Sequence, residues 1–184
     1  ILFTSVFFGI EVIWDRQFGF LKETLVAPVS RFNIMLGRTL GGATVATLQG
    51  VVVFLIALIP GFRPHSLAAL PALLLVMFLT ALLFTALGTL IASFMEDMHG
   101  FQLIMNFLIM PLFFLSGALF PLEGLPTALV WVARFDPLSY SVDAFRVLLL
   151  GSAHFGLPLD LAVLSLATAA SIALGGYFFS KIQV

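Results

Sequence analysis

Four long apolar runs with no charge near their middles constrain this chain more than any other feature: Ile34 to Ile59, Leu70 to Met95, Phe101 to Phe120 and Leu159 to Ser180. Each is as long as the roughly 20 residues that a helix needs to cross a bilayer. Hydrocarbon holds no water to pair with backbone N–H and C=O groups, so a spanning segment must be a helix or a strand of a closed barrel. Barrel strands alternate in polarity over about 10 residues, and nothing here alternates that way. The expected fold class is therefore all-α, a polytopic bundle of membrane helices. Composition agrees: 61% of residues are hydrophobic, 9% are charged and the mean hydropathy is +1.18, against about 25% charged in soluble domains. The 184 residues leave room for one transmembrane domain, 1–184, with at most about five or six crossings.

The opening stretch, Ile1 to Ile13, is apolar but too short to span alone. It lacks the basic flank and small-residue cleavage site of a signal peptide, so it is expected to be the tail of a truncated span. Between this partial span and the next lies Trp14 to Asn33. Arg16, Lys22 and Arg31, with Arg38 just beyond, place half of the 8 basic residues in this region. The positive-inside rule assigns 14–33 to the cytoplasm. Counting crossings from there puts 60–69 outside, 96–100 inside, 121–158 outside and Lys181 inside; Arg63, Arg134 and Arg146 on the outer side run against the bias. Small residues recur four apart (Gly37 and Gly41; Gly42, Ala46 and Gly50; Gly88 and Ala92), a spacing that lets helix backbones approach closely. Packing within one subunit is the expected use, a dimer seam the other.

Several functions are disfavoured. The net charge is -1 and no basic run occurs, so nucleic acid is not an expected partner. With 0 cysteines, disulfides and thiolate metal sites are excluded. No ionisable residue sits at the middle of a complete span, where ion-coupled carriers place theirs. There is no G-x-x-x-x-G-K-[ST] loop, so the chain is not expected to bind or hydrolyse ATP by that route. No H-E-x-x-H occurs, and Ser116-Gly117 lacks the G-x-S context of a nucleophile. Neither catalytic residues nor a metal site are expected.

Two segments carry functional expectations. In the first cytoplasmic loop, Phe18, Leu21 and Leu25 recur at helical spacing beside Lys22 and Glu23, which predicts a short amphipathic helix. Pro28 should end it, and Ser30 can cap the next span. Such a helix lies on the lipid surface or docks onto another protein. The second segment follows the third complete span. Its prolines and apolar residues suit short helices lodged against the membrane. Asp136-Pro137 is a helix-start signal, and Asp143 and Arg146 are spaced to pair on one face. The uncharged polar residues Gln49, Thr80, Thr85, Gln102, Asn106 and Ser116 are expected mainly to tie helices together. Asn106 and Ser116 are the better path candidates, because Met105, Phe107, Met110, Phe113 and Phe114 make their helix a soft apolar surface for an amphipathic substrate.

These residues resemble the type-2 ATP-binding-cassette exporter permeases, in particular the daunorubicin-resistance and nodulation lipo-oligosaccharide exporter branch. The likeness lies in Gly19 to Arg31 leading into Gly37 to Gly42, and in Ser116-Gly117, Phe120-Pro121, Leu125-Pro126, Pro137-Leu138, Tyr140, Asp143 and Arg146. The resemblance implies a six-span permease fold, of which about five spans are present here. It makes Phe18, Gly19, Phe20, Leu21, Lys22, Glu23, Leu25, Pro28 and Arg31 the loop that couples to an ATPase. It places Ser116, Gly117, Pro121, Pro137, Tyr140, Asp143 and Arg146 at the translocation path or its outer gate, beside the path candidates Asn106, Phe113 and Phe114 already read from their helix, and it implies re-entrant helices at 125–133 and 137–149. The implied partners are a cytoplasmic ABC ATPase, which would hold ATP and Mg, a second permease copy, identical or not, and membrane lipid. The implied setting is a prokaryotic inner membrane, and the implied cargo is a drug, lipo-oligosaccharide or polysaccharide moved outward. The alternative is a non-energised channel or scaffold.

Overall fold

The computed structural model describes residues 1–20, 28–119, 127–152 and 154–181. These residues form α1 (Leu2–Phe7), α2 (Ile10–Gln17), α3 (Arg31–Leu58), a 3-10 turn (Leu67–Ala69), α4 (Leu70–Ala92), α5 (Met98–Leu115), α6 (Thr127–Phe135), α7 (Pro137–Leu150) and α8 (Leu157–Phe179). No strand occurs among them. α3, α4, α5 and α8 are long and apolar enough to cross a membrane.

Local chemistry sets the helix starts. Ser30 accepts a hydrogen bond from the Asn33 N–H at 3.2 Å, Asp97 from the Gly100 N–H at 2.6 Å, and Asp136 from the Leu138 N–H at 2.8 Å. Each side chain satisfies one N–H that the first helical turn leaves free. α5 therefore begins at Met98 rather than at the first continuously apolar residue, Phe101. Gly151, at φ 74°, closes α7 in the left-handed conformation that glycine adopts without steric cost.

α4 is the centre of the bundle. It packs against α1, α2, α3, α7 and α8, and its buried residues (Val76, Ala81, Leu83, Phe84, Thr85, Ala86 among them) cover its whole circumference. A helix apolar on all sides belongs in such a place. α3 and α5 each bury a narrow stripe only: Met35, Thr39, Gly42, Ala43, Ala46 and Gly50 on α3, Phe101, Met105 and Ile109 on α5.

The small residues divide by use. A Cβ at Gly88 would stand 2.3 Å from the Val6 carbonyl oxygen, and one at Gly9 would stand 2.4 Å from the Gly88 oxygen. Here α4 touches the α1–α2 junction backbone to backbone. Gly42 sits beside Phe8 and Thr85, and Gly50 against Ile1. A Cβ at Gly37 or Gly41 would meet nothing within 4 Å, so this pair packs against no other element among the described residues.

The expected tying role of polar residues is corrected in part. The Thr80 hydroxyl does reach Ser141 on α7, at 3.0 Å, and Thr4 bonds Gln49. Thr85, however, donates to the Ala81 carbonyl of its own helix, as Thr39, Thr44, Thr47 and Thr168 do to theirs. A hydroxyl one turn below a free lone pair finds that nearer partner first.

Candidate coupling end and outer gate

The two ends of the bundle hold different chemistry. At the basic end, the last turn of α2 is bolted to the α4–α5 connection. Arg16 donates to the Met95 carbonyl at 3.0 Å and the Ser93 carbonyl at 3.3 Å, and Gln17 donates to the Glu96 carbonyl at 2.9 Å. Trp14 donates to the Met98 sulfur, and Asp15 pairs with Arg38 on α3. Arg31 donates to the Ser180 carbonyl at the end of α8, at 2.8 Å. The basic residues at this end thus hold free carbonyls at helix C-termini, where cations are favoured.

From this bolted end the chain leaves through Phe18, Gly19 and Phe20. Gly19 has φ 81°, and the two aromatic side chains are 69% and 58% exposed. Pro28 is also exposed. Leu21, Lys22, Glu23 and Leu25, the core of the expected coupling helix, lie outside the described residues, as does Pro121 of the expected gate.

At the opposite end the structure gathers most of the expected gate residues into a latch. Ser116 is buried; its hydroxyl donates to the Phe113 carbonyl at 2.8 Å and accepts from the Ala118 N–H at 3.3 Å. Gly117, at φ 80°, turns its carbonyl to Arg146, which donates to it. Pro137 is the first residue of α7. Tyr140 donates to the Arg134 carbonyl at 2.8 Å and stacks on Phe155 with ring centroids 4.9 Å apart. Asp143, 4% exposed, accepts the His154 N–H on Oδ1 at 2.7 Å, and the Phe155 and Gly156 N–H groups on Oδ2 at 2.7 and 3.2 Å. The expected Asp143–Arg146 pairing does not form. Its physical reason is that each side chain meets orphan backbone groups of a neighbouring turn, which a buried carboxylate or guanidinium must satisfy.

Phe113 packs edge-on to Phe3 at 6.0 Å and against Phe114, which is half exposed. Asn106 stands apart from the latch, on the exposed face of α5 with Gln102 and Phe107.

Two carboxyls carry more than the sequence suggested. Asp160, in the first turn of α8, is fully buried and lies against Asp143; neither of its oxygens has an N–H or O–H donor among the described residues. Its position as the second residue of an apolar run gave no sign of that burial. Asp136 is 4% exposed. Burial pushes its carboxyl up to about 7, against the opposing pull of the Leu138 N–H and the Ser139 hydroxyl. A carboxyl that holds its proton in the folded protein and loses it near 3.8 when unfolded costs stability as pH rises between those values. Asp136→Asn keeps the cap and removes the titration. Its thermal midpoint in detergent should lie close to wild type below pH 3.8 and exceed it by several degrees at pH 8; an equal midpoint at pH 8 would contradict this account.

Among the described residues no group of three or more His, Cys, Asp or Glu could hold a metal ion. The described bundle has one end where Arg16, Gln17 and Arg31 hold backbone carbonyls, an opposite end where Arg146 and Tyr140 hold carbonyls and Asp143 holds N–H groups, and apolar helices between them.

The family model of ABC-2 type transporters matches residues 1–150, and the chain belongs to that family. It is a polytopic permease-type subunit with an all-helical membrane bundle. It is 32% identical over 143 residues to Nodulation protein J of Rhizobium leguminosarum bv. viciae, covering 78% of this chain and 54% of that protein. Against Nodulation protein J of Rhizobium meliloti (strain 1021) the figures are 36% over 140 residues, 74% and 52%. Against the inner membrane transport permease YadH of Escherichia coli (strain K12) they are 31% over 147 residues, 80% and 55%. The chain spans about half the length of these curated relatives. No solved structure matches it.

Proposed function

We propose that this chain is the membrane subunit of an ATP-driven exporter in an inner membrane, paired with a second permease and powered by a separate cytoplasmic ABC ATPase. The amphipathic segment from Phe18 to Ala27 docks into the ATPase, and an amphipathic or lipophilic molecule passes outward. One observation carries this reading. Arg16 and Gln17 bolt α2 to the carbonyls of Ser93, Met95 and Glu96 immediately before the exposed aromatic pair Phe18 and Phe20. A push on the segment beginning at Phe18 is therefore delivered to α2 and to the α4–α5 connection together, rather than dissipated in a loose loop. The latch at the other end, built on Asp143, Arg146 and Tyr140, is the outer gate.

The test is assembly and coupling with the cognate ATPase. Leu21→Asp combined with Leu25→Asp places two charges at apolar positions of the docking segment. Co-purification with the ATPase should fall at least tenfold, with the permease still monodisperse. Undiminished association sinks the coupling role, and substrate flux that persists without ATP identifies a channel instead.

A further inference from the structure

The proline-containing end of α5 and the α6–α7 corner enclose a cleft of about 300 Å³, lined by Phe107, Leu108, Pro111, Leu112, Val132 and Asp136 among others. Its size falls at the lower end of small-molecule sites. The cleft opens sideways on the surface of the bundle, where Phe107 and Phe135 are each 84% exposed. Its walls are apolar with two exceptions, and both are acceptors. Oδ1 of Asp136 is used by the Leu138 N–H, but Oδ2 is buried with no hydrogen-bond partner. Pro111 lies inside α5 and has no N–H to give the Phe107 carbonyl one turn earlier. Leu108, Pro111, Leu112, Leu115, Val132 and Phe135, which complete the lining, bring no side-chain donor.

The described residues around Asp136 supply it no cation. Arg134, two residues away, holds its guanidinium over the Trp131 ring, 4.8 Å from the centroid. Arg146 of α7 is taken by the Gly117 carbonyl. The facing stretch of α5, Phe107 to Leu115, contains no charged or titratable residue. Ser139, one turn into α7, is the nearby hydroxyl; it eases the carboxyl's burial, yet its oxygen is itself buried without a well-aligned partner. A buried acceptor left in this state is costly, and a ligand that brings donors relieves the cost.

We propose that this cleft is a binding site for single-chain amphipathic amines: the ammonium group donates to Asp136 Oδ2 and the Phe107 carbonyl, and the alkyl chain lies along Leu108, Leu112 and Val132. A cation with N–H donors matches two acceptors in an apolar wall, and lateral access suits a molecule already dissolved in the bilayer. An aminophospholipid headgroup fits less well, because its phosphate would bring a negative charge next to Asp136.

The test is photolabelling by a diazirine-bearing alkylamine in phosphatidylcholine nanodiscs, read by mass spectrometry over peptides from α5 and α6. No ATPase is present, so the outcome is separate from the coupling experiment above. At pH 8 Asp136 is ionised, while an alkylammonium, with a pKa of about 10, keeps its charge. Dodecylamine should then suppress labelling at least tenfold more effectively than dodecanol. At pH 5.5, with the carboxyl protonated, that advantage should collapse. Asp136→Asn, which retains the cap, should lose the preference for amine over alcohol, and Leu112→Trp, which fills the cleft, should lose the labelling. The proposal is overturned if dodecanol competes as well as dodecylamine at pH 8, if either variant labels like wild type, or if phosphatidylethanolamine in the disc displaces the probe.

Discussion

Gly88→Val should yield almost no folded permease. The α-hydrogen side of Gly88 faces the Val6 carbonyl so closely that even a methyl group would stand 2.3 Å from its oxygen. The obstacle is backbone on a packed helix, which cannot rotate aside as a side chain can. Overpacking of a core commonly costs 1–3 kcal/mol; with rigid backbone on both sides, about 4 kcal/mol or more is expected, a large part of the roughly 5–15 kcal/mol that holds a domain together. Gly88→Ala should show a smaller version of the same loss. The readout is the monodisperse fraction on size exclusion and the thermal midpoint in detergent. Gly37→Ala and Gly41→Ala are the controls: with nothing within 4 Å of either position, both should fold as wild type or slightly better, since alanine favours helix over glycine by up to about 1 kcal/mol.

The second large effect belongs to Asp143. One carboxylate collects three successive N–H groups of the turn between α7 and α8, those of His154, Phe155 and Gly156. Hydrogen bonds to a charged group contribute about 1.5–3 kcal/mol each, and losing one partner leaves the others exposed to the full cost of burial. Asp143→Asn keeps the shape but turns an NH2 toward donors; Asp143→Ala removes every acceptor. Either should destabilise this turn by about 3–5 kcal/mol and abolish transport. Hydrogen exchange would localise the damage: the amides of His154 to Gly156 should lose protection while those of α4 keep theirs. Retained protection in Asp143→Ala would show that the turn is held by other contacts.

Much of the architecture was legible because a bilayer leaves a chain few choices. Once water is absent, a long apolar run can only be a helix, and Ser30 and Asp136 marked the helix starts that the structure shows. Small residues four apart showed where backbones could meet but not which would: Gly88 meets Val6, whereas Gly37 and Gly41 meet nothing among the described residues. Asp143 and Arg146 were read from helical spacing alone, which cannot see that Gly117, far away in sequence, offers its carbonyl to Arg146. Asp160 drew no expectation from the sequence. Its burial depends on how α7 folds back over the start of α8, and that is tertiary information. Pro111 was the signal in plain sight for the cleft beside Asp136, since a proline within a span removes one backbone donor.

One consequence follows from where the hydroxyls in the spans point. Thr39, Thr44, Thr47, Thr85 and Thr168 each spend their donor on their own helix, so neighbouring rods slide past one another without rupturing a polar tie at those places. Between α4 and α7 the Thr80–Ser141 contact is the polar snag among the described residues. A shear of α7 along the central rod meets friction from surface shape along most of its length and a catch at that single rung.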